Sequence, residues 1–114
     1  MRIVPYNKLV RDHIPAIISA TAGRTAVTRI LSPDEFIAAL KVKLLEETQE
    51  VVSASTPEAL ALELGDVLEL LHTLAAASNI PMDAVEAIRQ ERTTSRGAFT
   101  TGTLLIETHE PDTV

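Results

Sequence analysis

The apolar positions of this chain follow helical spacing through its middle and alternate only briefly towards each end. Ile37, Leu40, Leu44, Glu47 and Val51 share one stripe roughly 80° wide when placed on a helix of 3.6 residues per turn. Further on, Leu60, Leu64, Val67, Leu71 and Leu74 advance by alternating steps of four and three, the spacing of a helix-packing seam. SPDEF opens the first of these helices. Ser32 can cap it, Pro33 takes the first helical position, and Asp34 and Glu35 suit the positive end of the dipole. This helix is predicted to run to about Ser53. STPEA repeats the signal with Thr56 and Pro57, and the next helix is expected to end near Ala77. The short connection between the two predicts an antiparallel hairpin.

Outside this pair the pattern is weaker. Asp12 is expected to cap a helix over 12–22, with Pro15 in its opening turn and Gly23 ending it. AVTRIL (26–31) reads as a short strand, and TGTLLIET (101–108) alternates weakly and could pair with it. A fourth helix is predicted from about Met82 to Ser95, stopping near Gly97, and the tail HEPDTV reads as loose. The expected fold is one mainly all-α domain over 1–114, with a four-helix core and, as an addition, that two-stranded β element. The helix over 58–77 is apolar around most of its circumference, because Ala61, Leu62 and Leu68 lie outside the seam. A monomer of this size cannot cover so much, so a homodimer or homotetramer, an oligomeric helix bundle, is expected.

Four acids interrupt these apolar faces. Glu47 lies inside the stripe of the first long helix, and Glu50 lies on its flank beside Phe36 and Lys43. Glu63 sits at the edge of the second seam, and Asp66 lies on the same flank near Leu70 and Thr73. Glu46 projects to the far side and reads as solvated. Folding the two helices about 53–57 would bring the four acids within about two helical turns, on the order of 10 Å. A run of glutamates is ordinarily a solvated face. Acids packed against leucine, however, raise one another's pKa and destabilise a fold unless they are paired. Lys43 can partner one of them and cannot satisfy four. Carboxylates without His or Cys suit Mg²⁺, with Mn²⁺ as a substitute, better than zinc.

Composition narrows the chemistry. The net charge of −6 argues against nucleic acid or an anionic membrane surface as the main partner. Without cysteine there can be no disulfide, zinc–thiolate site or thiol nucleophile. The start carries no apolar run of signal-peptide length, and no stretch suits a membrane span, so a cytoplasmic protein is expected. Three aromatic residues, Tyr6, Phe36 and Phe99, leave little for stacking a base. Basic residues gather at both ends. Lys8 and Arg11 precede the first helix, while Arg89, Arg92 and Arg96 line one face of the fourth. Either cluster alone reads as surface charge. Beside an acidic metal site, both suit phosphate, which arginine forks bind through two oxygens. His13, His72 and His109 form no catalytic arrangement.

Taken together, these residues resemble the MazG-like nucleotide pyrophosphohydrolases, an all-α superfamily that includes phosphoribosyl-ATP and dUTP/dCTP pyrophosphatases. NKLVRDHIPAII (7–18) is similar to the signature N-K-L-V-R-D-K-I-P of one branch. KLLEETQE (43–50) resembles its K-L-x-E-E-x-x-E element, ELGDVLEL (63–70) its E-x-x-D-v-l-E, and RGAF (96–99) its closing R-G-G-F. The resemblance spans Tyr6 to about Ile106. It implies that Glu47, Glu50, Glu63 and Asp66 are magnesium ligands and catalytic residues. Lys8, Arg11, Asp12, Lys43, Arg92, Arg96 and Gly97 would be substrate-binding positions. The implied reaction is hydrolysis of a nucleoside triphosphate between its α and β phosphates, with Glu50 as the expected proton acceptor. Alternatives are a phosphoribosyl-ATP-like substrate, or a non-catalytic helical interaction module with a structural metal. His13, Arg92 and Ala98 depart from the branch's usual residues and bear on the substrate pocket rather than on the acids.

Overall fold

Capping chemistry sets both ends of the central helices. In the computed structural model, which describes residues 1–113, α2 spans Pro33–Ser53 behind a complete capping box. The Glu35 N–H donates to the Ser32 hydroxyl at 3.3 Å, and the Ser32 N–H donates to the Glu35 carboxylate at 3.0 Å. Arg29 adds two bonds to the same carboxylate, at 2.8 and 3.2 Å. The Arg29 bond, then those from Ser32, hold the Glu35 carboxyl at a pKa of about 2. Helix α3 spans Pro57–Ala77, and Thr56 caps it by accepting from the Ala59 N–H at 3.1 Å.

A left-handed asparagine closes the end of α3. Asn79 adopts a left-handed conformation with φ of 58°, so the Asn79 N–H donates to Ala76 and the Ile80 N–H donates to Ala75. This is a Schellman closure with asparagine in the position glycine usually takes. Pro81 follows, and α4 spans Met82–Arg96. Gly97, at φ of 87°, continues beyond it.

The chain divides into two units, Met1–Met82 and Asp83–Val114. Within the first, α2 and α3 pack on each other across residues 54–56. The side chain of Leu40 is the most deeply buried, at 2% exposure, and Ala75 is buried as well. Ile37, Leu44, Glu47 and Val51, the rest of the predicted stripe of α2, are all less exposed than their neighbours Val42, Leu45 and Val52. That face is the inward one.

On α3 the inward face is rotated from the expected seam. Ala59, Glu63, Asp66, Leu70 and Thr73 are shielded together with Val67 and Leu74, whereas Leu60, Leu64 and Leu71 stay exposed. A helix apolar on most sides has two candidate seams, and α2 covers only one. Glu63 and Asp66 therefore lie within the shielded face instead of at its edge.

Three further expectations are corrected. The first helix, α1, spans only Ile14–Ser19, not 12–22. His13 stands at its N-cap without a side-chain bond, so Asp12 does not cap it. A helix this short has too few internal bonds to offset its nucleation, and nothing in it is fully buried. No strand forms among the described residues, at 26–31 or at 101–108. Val27, Ile30, Leu104 and Ile106 are almost fully exposed, and an isolated two-stranded pair with no layer against its apolar face is marginal in water. Among the described residues no helix is long and apolar enough to cross a membrane.

Candidate metal centre

The rotation of α3 has a direct chemical consequence. Glu47 of α2 and Glu63 and Asp66 of α3 each present a carboxylate oxygen within 4.8 Å of the other two. The three steps that place them are plain. Glu47 follows Leu40 by seven residues and so shares its face, Glu63 and Asp66 are three apart on α3, and the 54–56 connection brings both helices together at that level. The cluster is tighter than the span of about two turns that the periodicity suggests. Oxygens on opposite sides of an octahedral Mg²⁺ at about 2.1 Å lie about 4.2 Å apart. Rotamer-scale movement would bring these three to that span. The donor set is carboxylate only and fits a hard divalent cation.

The side chain of Glu47 is 15% exposed, against 32% for Asp66 and 39% for Glu46. Partial burial pushes the Glu63 carboxyl up, and the negative charges of Asp66, Glu47 and Glu50 and a hydrogen bond with Glu47 push it further. Glu63 is thus the carboxyl at which the local repulsion collects. Glu50 does not join the three-oxygen cluster. It is exposed, one turn beyond Glu47, and acts on Glu63 through its charge.

Cations partly answer this repulsion, and two of them come from a segment far away in sequence. Arg11 Nη2 lies 2.6 Å from Asp66 Oδ1, although the residues are separated by 55 positions. Lys8 Nζ lies 3.6 Å from Glu46, and Lys43 Nζ lies 3.5 Å from Glu46 and 3.7 Å from Glu47. Glu46, which reads from the sequence as a solvated residue, is instead half-buried and paired with both lysines. The N-terminal arm reaches it through Lys8, a contact that no helix period reports. The arm turns at Asn7, φ 50°, which sets Lys8 over the Tyr6 ring at 6.0 Å. Five carboxylates (Glu46, Glu47, Glu50, Glu63 and Asp66) then face three cations (Lys8, Arg11 and Lys43). The surplus is two negative charges, which one divalent ion matches.

The remaining sequence-predicted positions are divided between the two units. Asp12 is exposed in the turn before α1, with no hydrogen bond assigned to its side chain. Arg92 and Arg96 are exposed on α4, and Gly97 follows it, all in the second unit. Arg89, on the same helix, is held by Glu86 through bonds of 2.9 and 2.5 Å, so its fork is already engaged.

No family model matches this chain, and no solved structure is similar to it at a significant level. An uncharacterized protein of Mycolicibacterium smegmatis is 55% identical to it over 58 residues. That match covers 51% of this chain and 57% of the relative, so the chain spans little more than half the relative's length.

Proposed function

We propose that the chain is a Mg²⁺-dependent nucleotide pyrophosphohydrolase of the MazG-like kind, cleaving a nucleoside triphosphate to a monophosphate and pyrophosphate. The observation that carries this reading is the convergence of Glu47, Glu63 and Asp66 within 4.8 Å, two of them on a helix face that is otherwise mostly aliphatic. An acid cluster inside such a face is costly unless a cation belongs there. Two of the four sequence elements that resemble the family, KLLEETQE and ELGDVLEL, carry these three acids.

In this reading Glu47, Glu63 and Asp66 hold the ion, which supplies charge neutralisation at the phosphates and acidifies water. Glu50, exposed and one turn from Glu47, accepts the proton of the attacking water. Arg11, Lys8 and Lys43, the cations paired with these acids and their neighbour Glu46, bind phosphate oxygens and offset charge on the leaving pyrophosphate. Asp12, Arg92, Arg96 and Gly97 keep their substrate-side roles through the resemblance alone. Clearing non-standard or excess nucleotides in the cytoplasm is the matching cellular role. Its working form is the homodimer or homotetramer, with α2 and α3 as the central hairpin of a larger bundle.

The test is turnover by the pure protein with Mg²⁺ on a panel of ribo- and deoxynucleoside triphosphates together with phosphoribosyl-ATP, read as pyrophosphate release. Activity that disappears in Glu47→Ala and Glu63→Ala supports the proposal. Orthophosphate alone, or no product across the panel, would count against it. Metal-dependent melting without any turnover would indicate the non-catalytic interaction module instead.

A further inference from the structure

We propose that residues 7–13 form an ion-exchange latch, in which Arg11 holds Asp66 until a divalent cation displaces it and frees its guanidinium for an anionic ligand. This rests on reading the acid cluster as a divalent-metal site. The Arg11–Asp66 contact, at 2.6 Å, is a charge-assisted bond to a carboxylate that also belongs to the three-oxygen cluster. A guanidinium at that distance and a divalent ion on the same carboxylate repel each other, so each weakens the other's hold on Asp66.

The arm is held in a way that permits exchange. Residues 1–10 carry no regular secondary structure, and nearly all of them are exposed. Among them only Leu9 is half-buried, and Lys8 meets Glu46 at 3.6 Å. Ion pairs this exposed contribute little to holding a segment in place. Lys43, rooted on α2 and largely shielded, stays with Glu46 and Glu47 and keeps part of the charge balanced when the arm leaves. The device therefore separates one fixed cation from two movable ones. Linkage makes the coupling reciprocal: whatever releases Arg11 tightens metal binding, and metal binding releases Arg11. A phosphate-type anion then meets a guanidinium that has lost its partner, so anion affinity rises once metal is bound.

The experiment measures Mn²⁺ binding to the full chain without nucleotide, by electron paramagnetic resonance or calorimetry, for wild type, Arg11→Gln and Arg11→Lys. Removing a competing pair of this exposure should tighten Mn²⁺ binding about two- to fivefold in R11Q. R11K keeps a cation and should stay near wild type. In the wild type, Mn²⁺ should also speed tryptic cleavage after Lys8. Equal or weaker Mn²⁺ binding by R11Q than by wild type overturns the latch while leaving the metal site standing. Absence of Mn²⁺ binding in both proteins overturns the latch and the metal site together.

Discussion

Diluting the protein a hundredfold should lower its melting temperature, and the size of the drop should reveal how many copies associate. The reason is the imbalance between covered and uncovered aliphatic surface on α2 and α3. Leu40 is the only leucine fully buried there, whereas Leu45 is 74% exposed, Leu62 64% and Leu68 53%, with Val42, Val52, Leu60, Leu64 and Leu71 also exposed. Together these eight leave about four to five whole side chains' worth of aliphatic surface in water; covering it at about 2 kcal/mol each is worth on the order of 9 kcal/mol per chain. A two-helix pair with so small a core is marginal alone, so folding and association should be one event. Unfolding entropy of about 2.1 cal/mol/K per residue gives about 240 cal/mol/K for this 114-residue chain. A hundredfold change in concentration alters the free energy of a dimer by about 3 kcal/mol near 60 °C. The expected shift is about 6 °C for a dimer and about 10 °C for a tetramer. Calorimetric or circular-dichroism melts at 1 and 100 µM, with mass from light scattering, make the measurement. A monomeric mass and a melting temperature independent of concentration would refute the reasoning. Leu68→Glu, which places a charge on that exposed face, should shift the mass towards monomer and lower helicity.

Glu63→Gln should raise stability at neutral pH in metal-free buffer. The sign follows from the raised carboxyl: the unfolded chain ionises at lower pH than the folded one, so stability is fully present below the unfolded pKa and is lost as pH rises through the raised folded pKa. Added Mg²⁺ should stabilise wild type more than E63Q, and a pH-independent difference between them in urea titrations would defeat the argument. Glu35 behaves oppositely. Its depressed carboxyl supports the start of α2 above about pH 4.5 and loses that support as pH falls towards 2, which amide exchange at residues 33–36 should detect. Ser32→Ala removes half of the capping box and should cost about 1 kcal/mol in a denaturant melt, with no loss taken as refutation. Gly65 lies within α3, and an added Cβ there would meet nothing within 4 Å. Gly65→Ala should therefore stabilise by about 0.5–1 kcal/mol, and a loss of stability would mean another chain packs against that position.

The local rules carried the helices well. Ser32-Pro33 and Thr56-Pro57 mark the starts of α2 and α3 because caps and first-turn prolines act within four residues, and α2's inward stripe follows from its own period. Glu47 with Glu50, and Glu63 with Asp66, were legible as pairs for the same reason, since spacing on one helix is local; packing of α2 on α3 left Glu50 out of the three-oxygen cluster. The choice between the two apolar sides of α3 was not local. Both sides carry leucine, and only contact with α2 decided that Ala59, Glu63, Asp66 and Leu70 turn inward while Leu60, Leu64 and Leu71 stay outside. The same holds for the strands over 26–31 and 101–108, whose alternation had no partner layer to stabilise it, and for Asp12, which met no helix start to cap. Arg11 against Asp66 and Lys8 against Glu46 lay furthest beyond reach, since no period links positions 55 and 38 residues apart. Sequence by itself determined which residues each helix would offer; tertiary structure determined which of those offers met, because periodicity is a property of one segment and ion pairing is a property of two.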